Sequence, residues 1–556
     1  MASVNNTANE KVMKKLINIS KICSLLALIV MLFNACDDDD ENFERTRLFR
    51  PVLNENLYTE GNTIIVNMGS LRQAVSYTME VSRDTFQTID YTFESDTSYM
   101  EINSSLVGEE LLWNAYYQVR ATAHAADSQY DSRPSDLGSV KTKKFPGPQG
   151  TPNLQFDVTD TRARVFWSTA GDPIVNVKVF AGQDLRLTSP LQDIDLTEEQ
   201  MDINEAVVTG LTPDTKYQIA IYSEDTIRGW EVYETKPALD FGDAPVYDLS
   251  GIENDLILYD TLTDVENGAV IILEPGKIYQ AGGYAFSKSV LLVSGYGFTP
   301  SLPIIECGSN YNIEAGATID SITFRNIRFQ GDFGGGYVFN IDQDGSLGEI
   351  KFDGCEIHSL RGITRIKGGT GTIQDYSIVN SVADSINGYG VFYVDTDGWQ
   401  AHNVWLTNST FSKTQYFLAS RTNTTGSITI ESCTIDQAPE QGRQMFRWRG
   451  GDGKNNVLGG IRISNTIWGP GWNMAGGEVF AVRGTEGLAS TSFNVVNTWV
   501  TSDFAFSSDE IPGFPAFTFS GSADDLWADR EALDYSIQAS GFAASNSAGD
   551  PRWRPE

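Results

Sequence analysis

From about residue 320 to 500 the apolar positions follow one short pattern, apolar-x-apolar-x-Asn-x-x-apolar, opening at Ile322, Ile350, Tyr376, Val404, Ile428, Ile461 and Phe493. The fifth slot holds Asn326, Asn380, Asn408, Asn465 and Asn497, with Gly354 and Ser432 as substitutes. The eighth holds residues such as Phe329, Ile357, Phe411, Ile435 and Trp468. Period-two alternation marks a half-buried strand, and Asn or Gly marks a turn tolerant of left-handed backbone. Copies advance by 24 to 33 residues, the spacing of a solenoid whose coils bury their apolar faces only against one another. The pattern predicts stacked coils with asparagines above one another at each turn, each able to bond its neighbour.

Aligning the strands beyond the Asn turns defines two outward columns. One holds Asp342, Lys367, Asp395, Arg421, Arg449 and Arg483; the other, two residues earlier, holds Asn340, Arg365, Tyr393, Ala419, Arg447 and Ala481. Side chains alternate along a strand, so the two columns share a face while Ile341, Ile366, Val394, Trp448 and Val482 point inward. The face is mixed in charge at its start and cationic from Arg421 onward. Trp399, Trp405 and Trp472 are candidate sugar-stacking aromatics, whereas Trp448 and Trp468 read as core.

The repeat residues resemble the pectate-lyase-like right-handed parallel β-helix superfamily, whose turns carry an asparagine ladder. The resemblance covers roughly residues 250 to 540 and implies fold rather than activity, because that fold hosts lyases, hydrolases, esterases, tailspikes and adhesins. An apolar stretch between Ile252 and Gln280 is placed to cap the open core at its start, and the tail around Leu526 to Arg554 to cap its end.

Residues 46 to 240 change character, to short β-branched strands with no Asn repeat. Leu111 precedes Tyr117 by the same interval as Leu211 precedes Tyr217. These pairs, with Trp167 in Val165-Phe166-Trp167, resemble the tyrosine corner and core tryptophan of fibronectin type III sandwiches. The first copy has Ile64-Ile65-Val66 where that tryptophan would stand. A Pro- and Gly-rich loop over residues 144 to 152 separates the copies. The expected fold is all-β, with two fibronectin type III-like sandwiches (46–144 and 152–240), read as spacers, followed by a right-handed parallel β-helix (250–556) with caps at both ends.

A net charge of −33 argues against nucleic acid as a partner but leaves room for a locally basic groove. Residues 1–36 end in a secretory signal: Lys14 and Lys15, the apolar run Ile22 to Phe33, and Leu32-Phe33-Asn34-Ala35-Cys36, with Met13 read as the true start. The apolar run is too short to span a bilayer. Cys36 resembles the lipidated cysteine of a bacterial lipobox, although Phe33 and Asn34 depart from its usual choices. The acidic tether 37–45, beginning Asp37-Asp38-Asp39-Asp40-Glu41, resembles the export signal of Bacteroidota surface lipoproteins and implies an outer-membrane anchor facing the cell exterior. Cys355 and Cys433 share a slot three coils apart, about 14 Å at about 4.8 Å per strand, so no disulfide joins them.

Guanidinium groups grip carboxylates bidentately, so the cationic face suits a polyuronate such as pectin. The expected ligand-binding set is Arg365, Lys367, Tyr393, Arg421, Arg447, Arg449, Arg483, Trp399, Trp405 and Trp472. The leading expectation is non-catalytic capture of an acidic polysaccharide at the cell surface, alongside an outer-membrane glycan transporter of a polysaccharide-utilisation system. A β-eliminating polysaccharide lyase is the alternative, with Arg447, Arg449, Arg421 and Lys367 as base and charge stabiliser; a structural adhesin is the third reading. Two Asp-x-Asp-Gly turns, at Asp342 and Asp344 and at Asp395 and Asp397, make calcium the one cofactor considered. They lie two coils apart, about 10 Å, too far to share an ion. Arg365-Ile366-Lys367 is similar to a short polygalacturonase motif, but the order of the other elements is reversed and Gly-His-Gly is missing, which disfavours hydrolysis. The histidines, His124, His358 and His402, have no Gly-x-Ser-x-Gly beside them to suggest esterase chemistry.

Overall fold

The computed structural model describes residues 46–555 except 281, 422–423, 451–454, 475 and 477–479. The signal segment, Cys36 and the acidic tether lie outside the described residues. Among the described residues, no helix is long and apolar enough to cross a membrane. The chain divides into two compact units, Met1–Pro146 and Gly147–Glu556.

The first unit is an antiparallel sandwich. Strands Tyr58–Glu60, Thr63–Asn67 and Tyr99–Ile102 form one sheet; Tyr91–Ser95, Ala74–Ser82, Tyr116–Ala125 and Ser135–Lys141 form the other. The Tyr117 hydroxyl accepts a hydrogen bond from the Leu112 backbone N–H at 2.9 Å, which locks the corner that the Leu-to-Tyr spacing predicts.

The second unit contains a second sandwich and the solenoid. The sandwich carries the same corner, with the Thr212 N–H donating to the Tyr217 hydroxyl at 2.9 Å, and Trp167 lies in its core. This sandwich packs on the coils. Arg162 and Arg164 stand over the Phe298 ring and Lys236 over Tyr296, while Leu239, Phe241 and Ala244 cover Val270, Ile272 and Val293. A third tyrosine corner closes the first coil, where the Glu274 N–H donates to the Tyr279 hydroxyl at 2.9 Å.

Three parallel sheets form the solenoid, the first and second of ten strands and the third of seven among the described residues. In the first sheet, Ile322, Ile350, Tyr376, Val404, Ile428, Ile461 and Phe493 pair in succession, in the register of the sequence repeat. All seven turn residues, the substitutes Gly354 and Ser432 included, have φ between 45° and 67°. That left-handed backbone is what selects Asn, Gly or Ser at the slot. Side-chain bonds link neighbours where two asparagines are adjacent, Asn408 to Asn380 at 3.2 Å and Asn497 to Asn465 at 3.0 Å; Gly354 and Ser432 interrupt the ladder. The next slot holds a buried column of small residues, among them Cys355, Ser381, Ser409 and Cys433. Cys307, Cys355 and Cys433 are free, and burial pushes the Cys355 thiol up to about 12.

Helix Ile257–Asp264 plugs the start of the core with Leu258 and Leu262, both fully buried. Ile511 and Phe514, with Phe504 and Phe506 packed against them, lie at the far end of the same core. The tail beyond residue 518 folds back along the outer face of the second sheet, where an end cap alone was expected. There Leu526, Trp527, Tyr535 and Phe542 cluster with Ile467. Arg530 clamps the fully buried Asp436 through two bonds of 2.9 Å, and the Tyr535 hydroxyl donates to the same carboxylate at 3.1 Å. Further back, Asp550 accepts from Thr410 at 2.8 Å and Arg552 donates to the Asn380 carbonyl at 2.6 Å.

Candidate functional site

The third sheet brings most of the expected residues together. Asn340, Arg365, Tyr393, Ala419 and Arg447 pair in succession. Backbone bonds continue the register to Lys367, Asp395, Arg421 and Arg449. The last coil departs from the expected alignment: Glu486, not Ala481, sits beside Arg447, and Arg483 pairs with Gln444. Arg483 therefore lies outside the column, bound to Asp509 at 2.7 Å. The segment between Trp468 and Val482 is longer than its counterparts on the coils before, so counting residues across it misplaces the strand.

The basic side chains are interleaved with carboxylates. Asp395 takes Arg365 at 2.7 Å on one oxygen and Arg449 at 3.2 Å on the other. Lys367 reaches Asp342 at 3.1 Å and Arg447 reaches Glu486 at 3.1 Å. Arg421 is exposed, with Nη1 3.5 Å from the Asp395 carbonyl oxygen. Each guanidinium has five N–H donors, so one carboxylate contact does not saturate it.

At the entry to this sheet runs a ladder of tyrosines, of which the sequence pattern placed only Tyr393. Tyr337, Tyr389, Tyr393 and Tyr416 follow one another with ring centroids 5.7, 5.3 and 6.2 Å apart. Arginines lie over them: Arg365 and Arg361 at 3.9 and 5.1 Å from Tyr389, Arg443 and Arg447 at 4.8 and 5.6 Å from Tyr416, and Arg449 at 6.0 Å from Tyr393. Such pairs are attracted through the ring quadrupole and hold the guanidinium planes against the aromatic faces. Gly362 makes room, since a Cβ there would stand 2.8 Å from Tyr389 Cβ and 3.2 Å from Tyr337 Cδ1. Glycines at Gly362 and Gly390, next to aromatic or basic residues, were the available signal.

Electrostatics bear on the base role. Burial alone would lower the Arg447 guanidinium, but Tyr393, Glu486 and Tyr416 more than offset it and hold the group above its ordinary value. Arg365 is likewise held up, burial being outweighed by Asp395, Tyr389 and Tyr337. A general base must give up its proton first, and Arg447, the one lyase candidate so shifted, is stabilised in the charged form.

Trp399 and Trp405 do not join this face, and Trp472 lies at its edge, bridged to Glu440, the partner of Arg443. Trp399 is 1% exposed and belongs to the core, its Nε1 donating to the Gln343 carbonyl at 3.2 Å. This corrects its expected place on an exposed loop: Gly371 on the coil before leaves room for the indole, a Cβ there lying 2.9 Å from Trp399 Cζ2. Trp405 is exposed but stands on the first sheet, bound to Asp375 at 3.1 Å. Trp472 is half-buried edge-on against Phe333 with centroids 5.9 Å apart. Tyr393 is only 5% exposed, so it supports the arginines from beneath rather than offering a free ring.

Protein donors occupy the carboxylates considered for calcium. Asp342 accepts from Asn312, Gln343 and Lys367, and Asp344 from the Thr370 backbone and hydroxyl. The Asn312 amide first, then Lys367, holds Asp342 below the ordinary carboxylate range. Asp395 is taken by the two arginines, and Asp397 also has an interaction partner. No group of three His, Cys, Asp or Glu among the described residues is placed to hold a metal ion.

The fold and this face define the class: a chain of β-sandwich domains joined to a parallel β-solenoid with a basic, aromatic outer sheet. A family model described as "Domain of unknown function (DUF4957)" matches residues 278–414, which includes the coils carrying Arg361, Arg365, Lys367, Tyr389, Tyr393 and Asp395. The solved chicken CNTN1 FN1–FN3 domains are 11% identical, covering 34% of this chain and 69% of that chain at a TM-score of 0.16. No curated protein matches.

Proposed function

We propose that the protein is a cell-surface lipoprotein that captures an acidic polysaccharide, a polyuronate such as pectin, on the outer face of the third sheet. The observation that carries the proposal is the interleaving of Arg361, Arg365, Arg443, Arg447 and Arg449 with Tyr337, Tyr389, Tyr393 and Tyr416. Charge-assisted forks would take the sugar carboxylates, and the half-exposed rings Tyr389 and Tyr416 would take the apolar faces of sugar rings. The coil spacing of about 4.8 Å is close to the length of one hexose, so a chain lying along the solenoid axis would meet basic groups at its own repeat. The lipid anchor at Cys36, a Bacteroidota outer membrane as the location, its outward orientation and a partner glycan transporter belong to the same reading and rest on the N-terminal sequence.

Capture is put ahead of β-elimination because the basic groups alternate with aromatic rings along the coils, as a stacked glycan chain requires. Among the lyase candidates, Arg447 is held as a cation and suits a charge stabiliser better than a base. Two measurements on one substrate panel test this. Affinity electrophoresis through polygalacturonate should retard the protein, progressively less as salt is raised, and highly methyl-esterified pectin should retard it less. Absence of retardation on polygalacturonate, alginate and glycosaminoglycans alike would leave the adhesin reading in front. Growth of unsaturated-uronate absorbance near ~235 nm, lost in Arg449→Ala, would establish the lyase instead.

A further inference from the structure

The seam between the second sandwich and the first coils is not filled throughout. Between the apolar contacts of Phe241 and the stacking of Lys236 on Tyr296, a cleft of about 500 Å³ remains, lined also by Arg325, Asp240 and Ser301. We infer that this cleft is a second binding site, separate from the third-sheet face, for a single uronate residue at the end of a short oligosaccharide.

Its volume lies within the range of small-ligand sites, which typically set a few polar groups among apolar walls. Lys236 is held in place, its Nζ donating to the Gln155 carbonyl at 2.6 Å while the ammonium stands 4.9 Å from the Tyr296 ring centroid. Burial lowers the pKa of this ammonium, against the pull of Asp160. A partly desolvated cation gains from a carboxylate brought to it. Arg325 supplies a forked donor on the coil side, and Tyr296 and Phe241 supply ring faces. Asp240 and Ser301 suit sugar hydroxyls as acceptor and as donor or acceptor. Asp240 and Asp160 offset part of the charge of Lys236 and Arg325. The forked guanidinium, the desolvated ammonium and the aromatic walls together select an acidic sugar over a neutral one.

The test uses the full-length protein with Arg421→Ala and Arg447→Ala introduced to weaken the third-sheet face. Calorimetric titration with trigalacturonate should still give binding in this background, at least about tenfold tighter than galactotriose. Arg325→Gln or Lys236→Met should weaken it at least about tenfold. Ser301→Trp, which fills the cleft mouth without removing a seam contact, should abolish it, with the melting temperature unchanged. No binding in the weakened background, equal affinity for galactotriose, or affinity indifferent to all three cleft substitutions would overturn the assignment.

Discussion

The second and third sheets are built from the same coils, yet their outer faces have opposite fates. On the second sheet, Thr410, Ser412, Thr434 and Asp436 point outward and are buried under the folded-back tail, so they pair with Tyr535, Asp550 and Arg530 in a water-poor seam. On the third sheet, most outward positions are long, charged and partly exposed, Tyr393 and Ala419 being the buried exceptions, and the partners of Arg365, Lys367 and Arg447 lie on neighbouring coils. A repeat therefore specifies the inside of a solenoid while leaving each outer face free to be covered or displayed. Here the covered face serves stability and the displayed face is the one suited to a ligand.

The largest effect that would break this contrast is at the tail. Asp436→Ala removes two of the bonds of Arg530, whose side chain is only 12% exposed, and leaves it the exposed Asp524 at 2.6 Å. Removing one partner of a buried pair costs about 3–5 kcal/mol, and the remaining pair sets the loss toward the lower end. Urea unfolding should show that loss, while polygalacturonate binding by the still-folded protein stays at the wild-type level. The next effect reverses the readout. Arg447→Ala should cut polygalacturonate affinity roughly tenfold, as expected for one charge-assisted contact, with stability shifted by at most about 1 kcal/mol because its pair with Glu486 is partly exposed.

A smaller effect concerns the part of the second sheet that the tail leaves open. There His358 first, and then Arg328, hold the Glu356 carboxyl at about 2 rather than its ordinary 4.5. A depressed carboxylate contributes stability fully above its unfolded value and loses it as pH falls through its folded value. The Glu356 contribution should therefore be intact above about pH 4.5 and fade toward pH 2. Thermal melting of Glu356→Gln should lack that component. The smallest effect belongs to Arg483, an exposed partner of Asp509 outside the column. Arg483→Ala should change stability by less than about 1 kcal/mol and glycan affinity not at all; a tenfold loss in affinity would restore it to the binding face.

Much of this architecture was legible because the turn after each first-sheet strand demands left-handed backbone, and few residue types supply it. Asn326 through Asn497 therefore set the register of the stack, and with it the neighbours Arg365, Tyr393 and Arg447. The signal failed where that demand is absent. The coils before Ile322 turn without an Asn, the first of them at a tyrosine corner on Tyr279. Arg483 follows a loop whose length no periodicity constrains. Trp399 entered the core because a glycine on the adjacent coil left space, a tertiary fact invisible along the strand. Of the tyrosine ladder only Tyr393 fell in an aligned column; Tyr389 and Tyr416 lie outside the strands and so outside the apolar alternation.

Hydroxyl-radical footprinting of the protein with and without polygalacturonate tests the central claim most directly. The account predicts protection at Tyr389 and Tyr416, with Trp405 on the first sheet as reactive as in the free protein. Protection at Trp405 with Tyr389 and Tyr416 unchanged would contradict it.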